Sequence, residues 1–106
     1  MENLTASAED ERLAEMLHAL GNPMRLAIIH YVANNPGCIC NDLVVRCDRA
    51  QATVSQHLAT LRRANVLTAE RDGPATCYRL DTENIAWLQA QLQRINSSTP
   101  WADVGQ

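Results

Sequence analysis

The densest run of side chains able to do chemistry is Gln51-Ala52-Thr53-Val54-Ser55-Gln56-His57, with two amides, two hydroxyls and an imidazole in seven residues. Amides and hydroxyls both donate and accept hydrogen bonds, the property needed to match the pattern of donors and acceptors on base edges. Gln56 has the geometry to pair with adenine, Thr53 and Ser55 to reach a base or a phosphate, and Ala52 to meet a thymine methyl. On a helix with Val54, Leu58 and Leu61 turned inward, Ala52, Gln56, Ala59 and Arg63 point outward, with Thr53, Ser55 and Thr60 on the flanks. His57 falls near the edge of the inward stripe and reads as a packed or phosphate-contacting residue ahead of a base reader. A polar outer face is also what any solvated amphipathic helix presents, so the neighbouring sequence has to decide.

Charge is the first such neighbour. The chain of 106 residues carries a net charge of −3, yet residues 46–79 hold six arginines, Arg46, Arg49, Arg62, Arg63, Arg71 and Arg79, against Asp48, Glu70 and Asp72. That segment is therefore basic within an acidic chain, as expected where a phosphate backbone is to be met. All nine cations are arginine, which suits forked contacts to phosphate or guanine and is equally what a GC-rich coding bias produces. Arg62 and Arg63 are placed to reach phosphates, and Arg71 and Arg79 to touch backbone or minor groove.

The second chemical feature is sulfur. Cys38-Ile39-Cys40 places two thiols on one side of an extended segment, and Cys47 and Cys77 complete a set of four. With no apolar run near the roughly 18 residues that cross a bilayer, and no charged-then-apolar leader, the chain is expected to be cytoplasmic, off the membrane, with its cysteines as thiols. If the segment around Cys38 pairs with the strand holding Cys77, three thiolates, Cys38, Cys40 and Cys77, would suit arsenite, antimonite or a soft metal ion. The same thiols would alternatively serve as a redox or persulfide switch, since a thiol beside a helix N-terminus, as at Cys40, is the more readily oxidised. A third reading makes them inert core residues, which is the one favoured for Cys47.

These groups need a scaffold, and the sequence marks one. Ser7-Ala8-Glu9-Asp10 reads as a capping box opening a first helix with Leu13, Met16, Leu17 and Leu20 at helical spacing, stopped at Gly21. Asn22 caps and Pro23 begins a second helix containing Met24, Leu26, Ile28, Ile29 and Val32. After Asn34-Asn35-Pro36-Gly37 and the extended Cys38-Ile39, Asn41 is expected to cap a short third helix, Asp42 to Cys47. The fourth spans about Ala50 to Ala64. Val66–Arg71 and Ala75–Leu80 flank the turn signal Asp72-Gly73-Pro74 and predict a hairpin. Asp81 or Thr82 caps a last helix with Ile85, Leu88, Leu92 and Ile95. The expected architecture is mainly α with a small β-hairpin: five helices in a winged helix-turn-helix spanning residues 1–95, with a flexible tail at 96–106 in which Trp101 makes a docking contact.

Several segments resemble the arsenical-repressor (ArsR/SmtB) family of winged-helix regulators. Leu17-His18-Ala19-Leu20-Gly21-Asn22-Pro23-Met24-Arg25-Leu26 looks like the family's opening "ALxxPxRLxIL". Ala50 to Leu58, followed by Leu61-Arg62 and Asn65-Val66-Leu67, resembles its "QSTVSQHLxxLRxAGLV" recognition segment. Gly73-Pro74 and Tyr78-Arg79-Leu80 resemble the wing. Asn65 stands where the family has glycine, so the turn there must hold Asn in a left-handed conformation. Cys38-Ile39-Cys40-Asn41-Asp42-Leu43 resembles the metalloid-binding C-V-C-D-L stretch with one residue inserted before Asp42. Residues 82–95 contain no histidine of the zinc-sensing type.

The resemblance implies a homodimeric repressor that leaves a near-palindromic double-stranded DNA operator when an inducer binds, with no cofactor needed for DNA binding. The apolar stripes of the first and last helices, Leu13, Met16, Leu17 and Leu20 with Ile85, Leu88, Leu92 and Ile95, suit an intersubunit bundle. An enzyme is not expected, because there is no glycine-rich phosphate loop, no pair of carboxylates on a cleft pattern and no activated Cys/His arrangement. The rival from another class is a winged-helix protein-interaction module, which would lack salt-dependent DNA binding.

Overall fold

The computed structural model describes residues 3–97; the contact expected of Trp101 lies outside them. Helix α1 spans Ala8–Leu20 and α2 Pro23–Asn34. Strand β1 is Cys38–Ile39, α3 Cys40–Val44, α4 Gln51–Arg63, β2 Leu67–Asp72, β3 Ala75–Leu80 and α5 Thr82–Ser97. The three strands form one antiparallel sheet in the order β1-β3-β2. This is a winged helix-turn-helix, in which α3 and α4 are the helix pair and β2–β3 the wing.

The helix ends follow from local chemistry. At α1 the Ser7 Oγ accepts from Asp10 N–H at 3.0 Å while the Asp10 carboxylate accepts from Ser7 N–H at 2.9 Å, a complete capping box. Gly21 ends the helix at an ordinary φ of −79°. A Cβ there would sit 3.2 Å from the Leu17 carbonyl oxygen, so close backbone approach, not left-handed geometry, favours glycine. Asn22 Oδ1 then accepts from Met24 N–H at 2.9 Å and Arg25 N–H at 3.1 Å, with Pro23 in the first turn, where its missing N–H costs nothing.

Helix α4 closes in a Schellman motif. Val66 N–H donates to Leu61 O at 2.9 Å and Asn65 N–H to Arg62 O at 3.0 Å, which requires Asn65 at φ +62°. The left-handed asparagine expected from the missing glycine is therefore present. The wing turns through Gly73-Pro74 with Gly73 at φ +63° and Asp72 paired to Ala75, so only two residues separate the strands. At α5 the choice of cap falls to Asp81, whose Oδ1 accepts from Asn84 N–H at 3.1 Å.

The third helix departs from expectation. Asn41 lies inside its first turn, not at its cap; the helix begins at Cys40, and the Asp42 carboxylate accepts from Ile39 N–H at 2.9 Å. A carboxylate three residues into the chain satisfies an N-terminal N–H better than the neutral Asn41 amide could. A turn in which Cys47 N–H reaches Leu43 O at 2.9 Å then leads toward α4. Helix α5 also continues through Asn96 and Ser97, past the point where a flexible tail is expected.

The core gathers Met16 and Ala19 of α1, Ile28 and Val32 of α2, Leu43 of α3, and Val54, Leu58 and Leu61 of α4, with Val66, Leu67 and Leu88. Two residues expected at a dimer surface, Met16 and Leu88, are thus buried within the protomer, each on the side of its helix turned into this core. Leu17, Leu92 and Ile95 stay exposed, and Leu13, Leu20 and Ile85 are half-buried. Arg12 joins α1 to α5, donating to Asn84 Oδ1 at 2.6 Å and lying 3.8 Å over the Trp87 ring.

Leu58→Ala is expected to lower unfolding stability by about 2–5 kcal/mol in urea titration, since the site is fully enclosed. Asn65→Gly is expected to keep stability or raise it by up to about 1 kcal/mol, whereas Asn65→Val loses about 1–2 kcal/mol, because only glycine relieves the left-handed backbone.

Candidate nucleic-acid interface

Burial of Val54, Leu58 and Leu61, each at 0% exposure, fixes the roll of α4 and decides what its other face presents. Gln51, Ala52, Ser55 and Gln56 are exposed on its N-terminal half, and Thr53 is half-buried beside them. The helix therefore offers a patch of small and amide side chains narrow enough for the major groove, with Arg62 and Arg63 exposed at its far end. Thr60 and Arg63 are linked to each other at 3.4 Å and line a groove against α1 with Glu15 and His18. Both follow Gln56 on the same face of α4, one and two turns nearer its C-terminal end, where that face meets α1.

His57 is half-buried, with Nδ1 3.3 Å from Nη1 of Arg25 in α2. Burial first, and then the positive charges of Arg25 and Arg49, hold its pKa below the ordinary histidine value. Arg25 also donates from Nε to Ala19 O at 2.6 Å and from Nη2 to His18 O at 3.3 Å, closing the C-terminal end of α1. It went unassigned in the sequence, although a signal was there. Arg25 is the only permanently charged residue in α2, amid Met24, Leu26, Ile28 and Ile29. A groove beside the ring is lined by Asn22, Pro23, Met24, Ala27, Arg49 and His57. Arg46, by contrast, is occupied structurally, with its guanidinium 5.1 Å over the Tyr31 ring.

The wing sends its two arginines to opposite faces. Register pairs Arg71 with Thr76 and Thr68 with Arg79, so alternation puts Arg71 on the face of Tyr78 and Arg79 on the face of Cys77. The Arg79 guanidinium lies over Gly37, whose φ of +88° is what favours glycine there. Both side chains remain exposed.

The same register corrects the sulfur geometry. Strand β1 pairs Cys38 with Tyr78 and Ile39 with Cys77, one residue away from the expected Cys38–Cys77 pairing. A one-residue offset reverses the face, so Cys77 points to the side of the sheet opposite Cys38. The donors Cys38, Cys40 and Cys77 do not form a three-thiolate set, and among the described residues no group of three or more His, Cys, Asp and Glu is disposed to hold a metal.

Each thiol has its own setting. Cys38 is buried, and burial followed by the nearby Asp42 carboxylate raises its pKa. Cys40 places Sγ 3.5 Å from Ser55 Oγ on α4, and Cys47 Sγ lies 3.9 Å from Met24 Sδ. Burial raises the pKa of Tyr78, with Cys40 and Cys38 adding to the effect and Arg62 opposing it, which locates both cysteines near that phenol.

A helix-turn-helix domain family model matches residues 20–70. The repressor SmtB of Mycobacterium tuberculosis is 39% identical over 74 residues, covering 70% of this chain and 54% of that protein, so the match spans about half of that relative. An uncharacterized helix-turn-helix regulator of Methanocaldococcus jannaschii is 30% identical over 76 residues, 71% of this chain and 84% of its own. The arsenical resistance operon repressor of Staphylococcus xylosus is 28% identical over 88 residues, covering 83% and 84% of the two chains. Among solved structures, an ArsR-like regulator from Rhodococcus superposes with a TM-score of 0.78 at 19% identity over 86% of this chain and 85% of that one. A homodimeric winged helix-turn-helix DNA-binding domain from Mycobacterium bovis gives 0.70 at 24% identity over 94% of each.

Alkylation of the native chain by iodoacetamide, followed by mass spectrometry, is expected to modify Cys38 at least roughly tenfold more slowly than Cys40 or Cys77, because its thiol is enclosed and resists ionisation. Equal rates at the three positions would contradict this placement.

Proposed function

Because the chain belongs to the ArsR/SmtB family of winged helix-turn-helix transcriptional regulators, we propose that it is a sequence-specific repressor whose operator is read by the exposed N-terminal half of α4. The observation that carries this reading is the roll of α4, which buries Val54, Leu58 and Leu61 and turns Gln51, Ala52, Ser55 and Gln56 outward in a basic segment. Thr53 and Ser55 supply hydroxyls, Gln56 an amide for adenine, and Arg62 and Arg71 phosphate contacts. Thr60 and Arg63 continue the Gln56 face toward the C-terminal end of α4 and, with Arg79 of the wing, act on the DNA backbone. Recognition needs no cofactor.

The repressor acts as a homodimer on a near-palindromic site. Support comes from Leu17 on α1 and Leu92 and Ile95 on α5, large apolar side chains exposed in the protomer, and from the homodimeric Mycobacterium bovis neighbour. A two-fold dimer sets the half-sites about one helical turn, ~34–36 Å, or a multiple of it, apart.

Release is proposed to follow from a thiol-directed inducer, either a metalloid or soft metal ion or a reactive sulfur species. The Cys40–Ser55 contact supports this, since any group added to Cys40 Sγ must displace a side chain of the recognition helix. The arsenical repressor of Staphylococcus xylosus supports the metalloid form. Cys77 takes no part in that site, because the sheet register turns it to the face opposite Cys38.

Duplexes enriched from a random pool are expected to bind with affinity that falls steeply with salt. Arg71→Ala should reduce the logarithmic salt slope by about one and weaken all sequences alike. Gln56→Ala should instead narrow the gap between selected and random duplex by about 1–3 kcal/mol. Equal, weak and salt-insensitive binding to both would favour the protein-interaction reading. For the inducer, Cys40→Ser is expected to abolish release by arsenite or polysulfide while Cys77→Ser leaves it intact; unaltered release in Cys40→Ser would overturn the Cys40 mechanism.

A further inference from the structure

We infer that Arg25 is a positioning residue for DNA recognition, holding His57 as the neutral imidazole whose Nδ1 accepts from the guanidinium and whose Nε2–H donates to a phosphate oxygen of the DNA backbone. The inference rests on the repressor reading above for its ligand, and on the Arg25–His57 geometry for its mechanism.

A guanidinium has only donors, so the ring nitrogen 3.3 Å from Arg25 Nη1 must present a lone pair. In a neutral ring that leaves the single proton on Nε2. Arg25 is itself immobilised, because its Nε is committed to the Ala19 carbonyl and its Nη2 to the His18 carbonyl, which also accepts from Gly21 N–H at the end of α1. One side chain thus joins the end of α1, the first turn of α2 and the recognition helix, and sets both the tautomer and the orientation of His57.

The surroundings favour an anion as the acceptor. The groove lined by Asn22, Pro23, Met24, Ala27, Arg49 and His57 has Arg49 as its one permanent charge. From α2 the group facing the ring is Arg25, and from the α3–α4 connection it is Arg49. The titratable residues of α1 nearest α4, Glu15 and His18, line a separate groove with Thr60 and Arg63. A proton on Nδ1 would set N–H against N–H and a third positive charge beside two arginines. Burial and the two arginines therefore favour the neutral ring, which takes up a proton at lower pH than an ordinary histidine.

Removing Arg25 reverses this. Loss of that charge raises the pKa of His57 toward the ordinary value, so that more of it is protonated at pH 6 and forms a charge-assisted bond to phosphate, roughly twice as strong as a neutral one.

The test has two arms. Long-range 1H–15N imidazole correlations of the unmodified chain without DNA should show neutral His57 as the Nε2–H tautomer, with a titration midpoint below the ordinary histidine value. An Nδ1–H tautomer, or a midpoint at or above the ordinary histidine value, would overturn the inference without reference to DNA and without any variant that must fold. In the second arm, affinity for a selected duplex should change less than about twofold between pH 8 and pH 6 in the native chain and rise about fivefold in Arg25→Leu. It should be flat again in Arg25→Leu/His57→Gln, whose amide donates without titrating. A pH response in Arg25→Leu that survives the second substitution, or no response at all, would contradict the role. Absence of duplex binding by the native chain would instead refute the repressor reading, with the tautomer signal still judging the Arg25–His57 pair.

Discussion

Val54, Leu58 and Leu61 recur at the spacing of one helix face and are entirely withdrawn from solvent, packed beneath α1, α2 and the sheet. Rolling α4 by a single residue, 100°, would expose this stripe and bury Ser55 and Arg62, or Thr53 and Thr60, without partners, at a cost of several kcal/mol. The core therefore does more than hold the domain together. It aims an uncharged set of donors and acceptors outward, and the Schellman turn at Asn65 then starts β2 where the wing can flank the helix. An acidic chain can approach DNA because the segment 46–79, which holds the recognition helix and the wing, carries six of the nine arginines against three acids, while Glu9, Asp10, Glu11 and Glu15 lie on α1.

Most of this scaffold is legible in the sequence, and for local reasons. Capping boxes, Asn-Pro starts and Gly-Pro turns act over three or four residues, so Ser7/Asp10, Asn22-Pro23 and Gly73-Pro74 announce their structures without knowledge of the fold. The inward stripe of α4 is likewise a periodicity visible in one window. Asn41 misleads because two polar residues compete to satisfy the same N-terminal groups. The carboxylate of Asp42 wins, which begins α3 at Cys40 and changes what surrounds both neighbouring thiols.

The sulfur geometry and the Arg25–His57 pair were less legible because they depend on distant parts of the chain. Whether Cys77 meets Cys38 is settled by sheet register, and an offset of one residue separates shared from opposite faces. No local motif records that offset. For α1 and α5, periodicity correctly identified apolar faces but could not apportion them, so Met16 and Leu88 proved to belong to the protomer core while Leu17, Leu92 and Ile95 remained outside. Arg25 was visible as an isolated charge in an apolar helix, yet its partner lies 32 residues away.

The central claim, that the outward face of α4 is the DNA-reading surface, is tested most directly by backbone amide NMR of the chain with and without a selected duplex. The account predicts the largest shifts at Gln51 to Gln56, with a second set around Gly73 at the tip of the wing. A complex that forms while the amides of α4 from Gln51 to Gln56 stay unperturbed would contradict it.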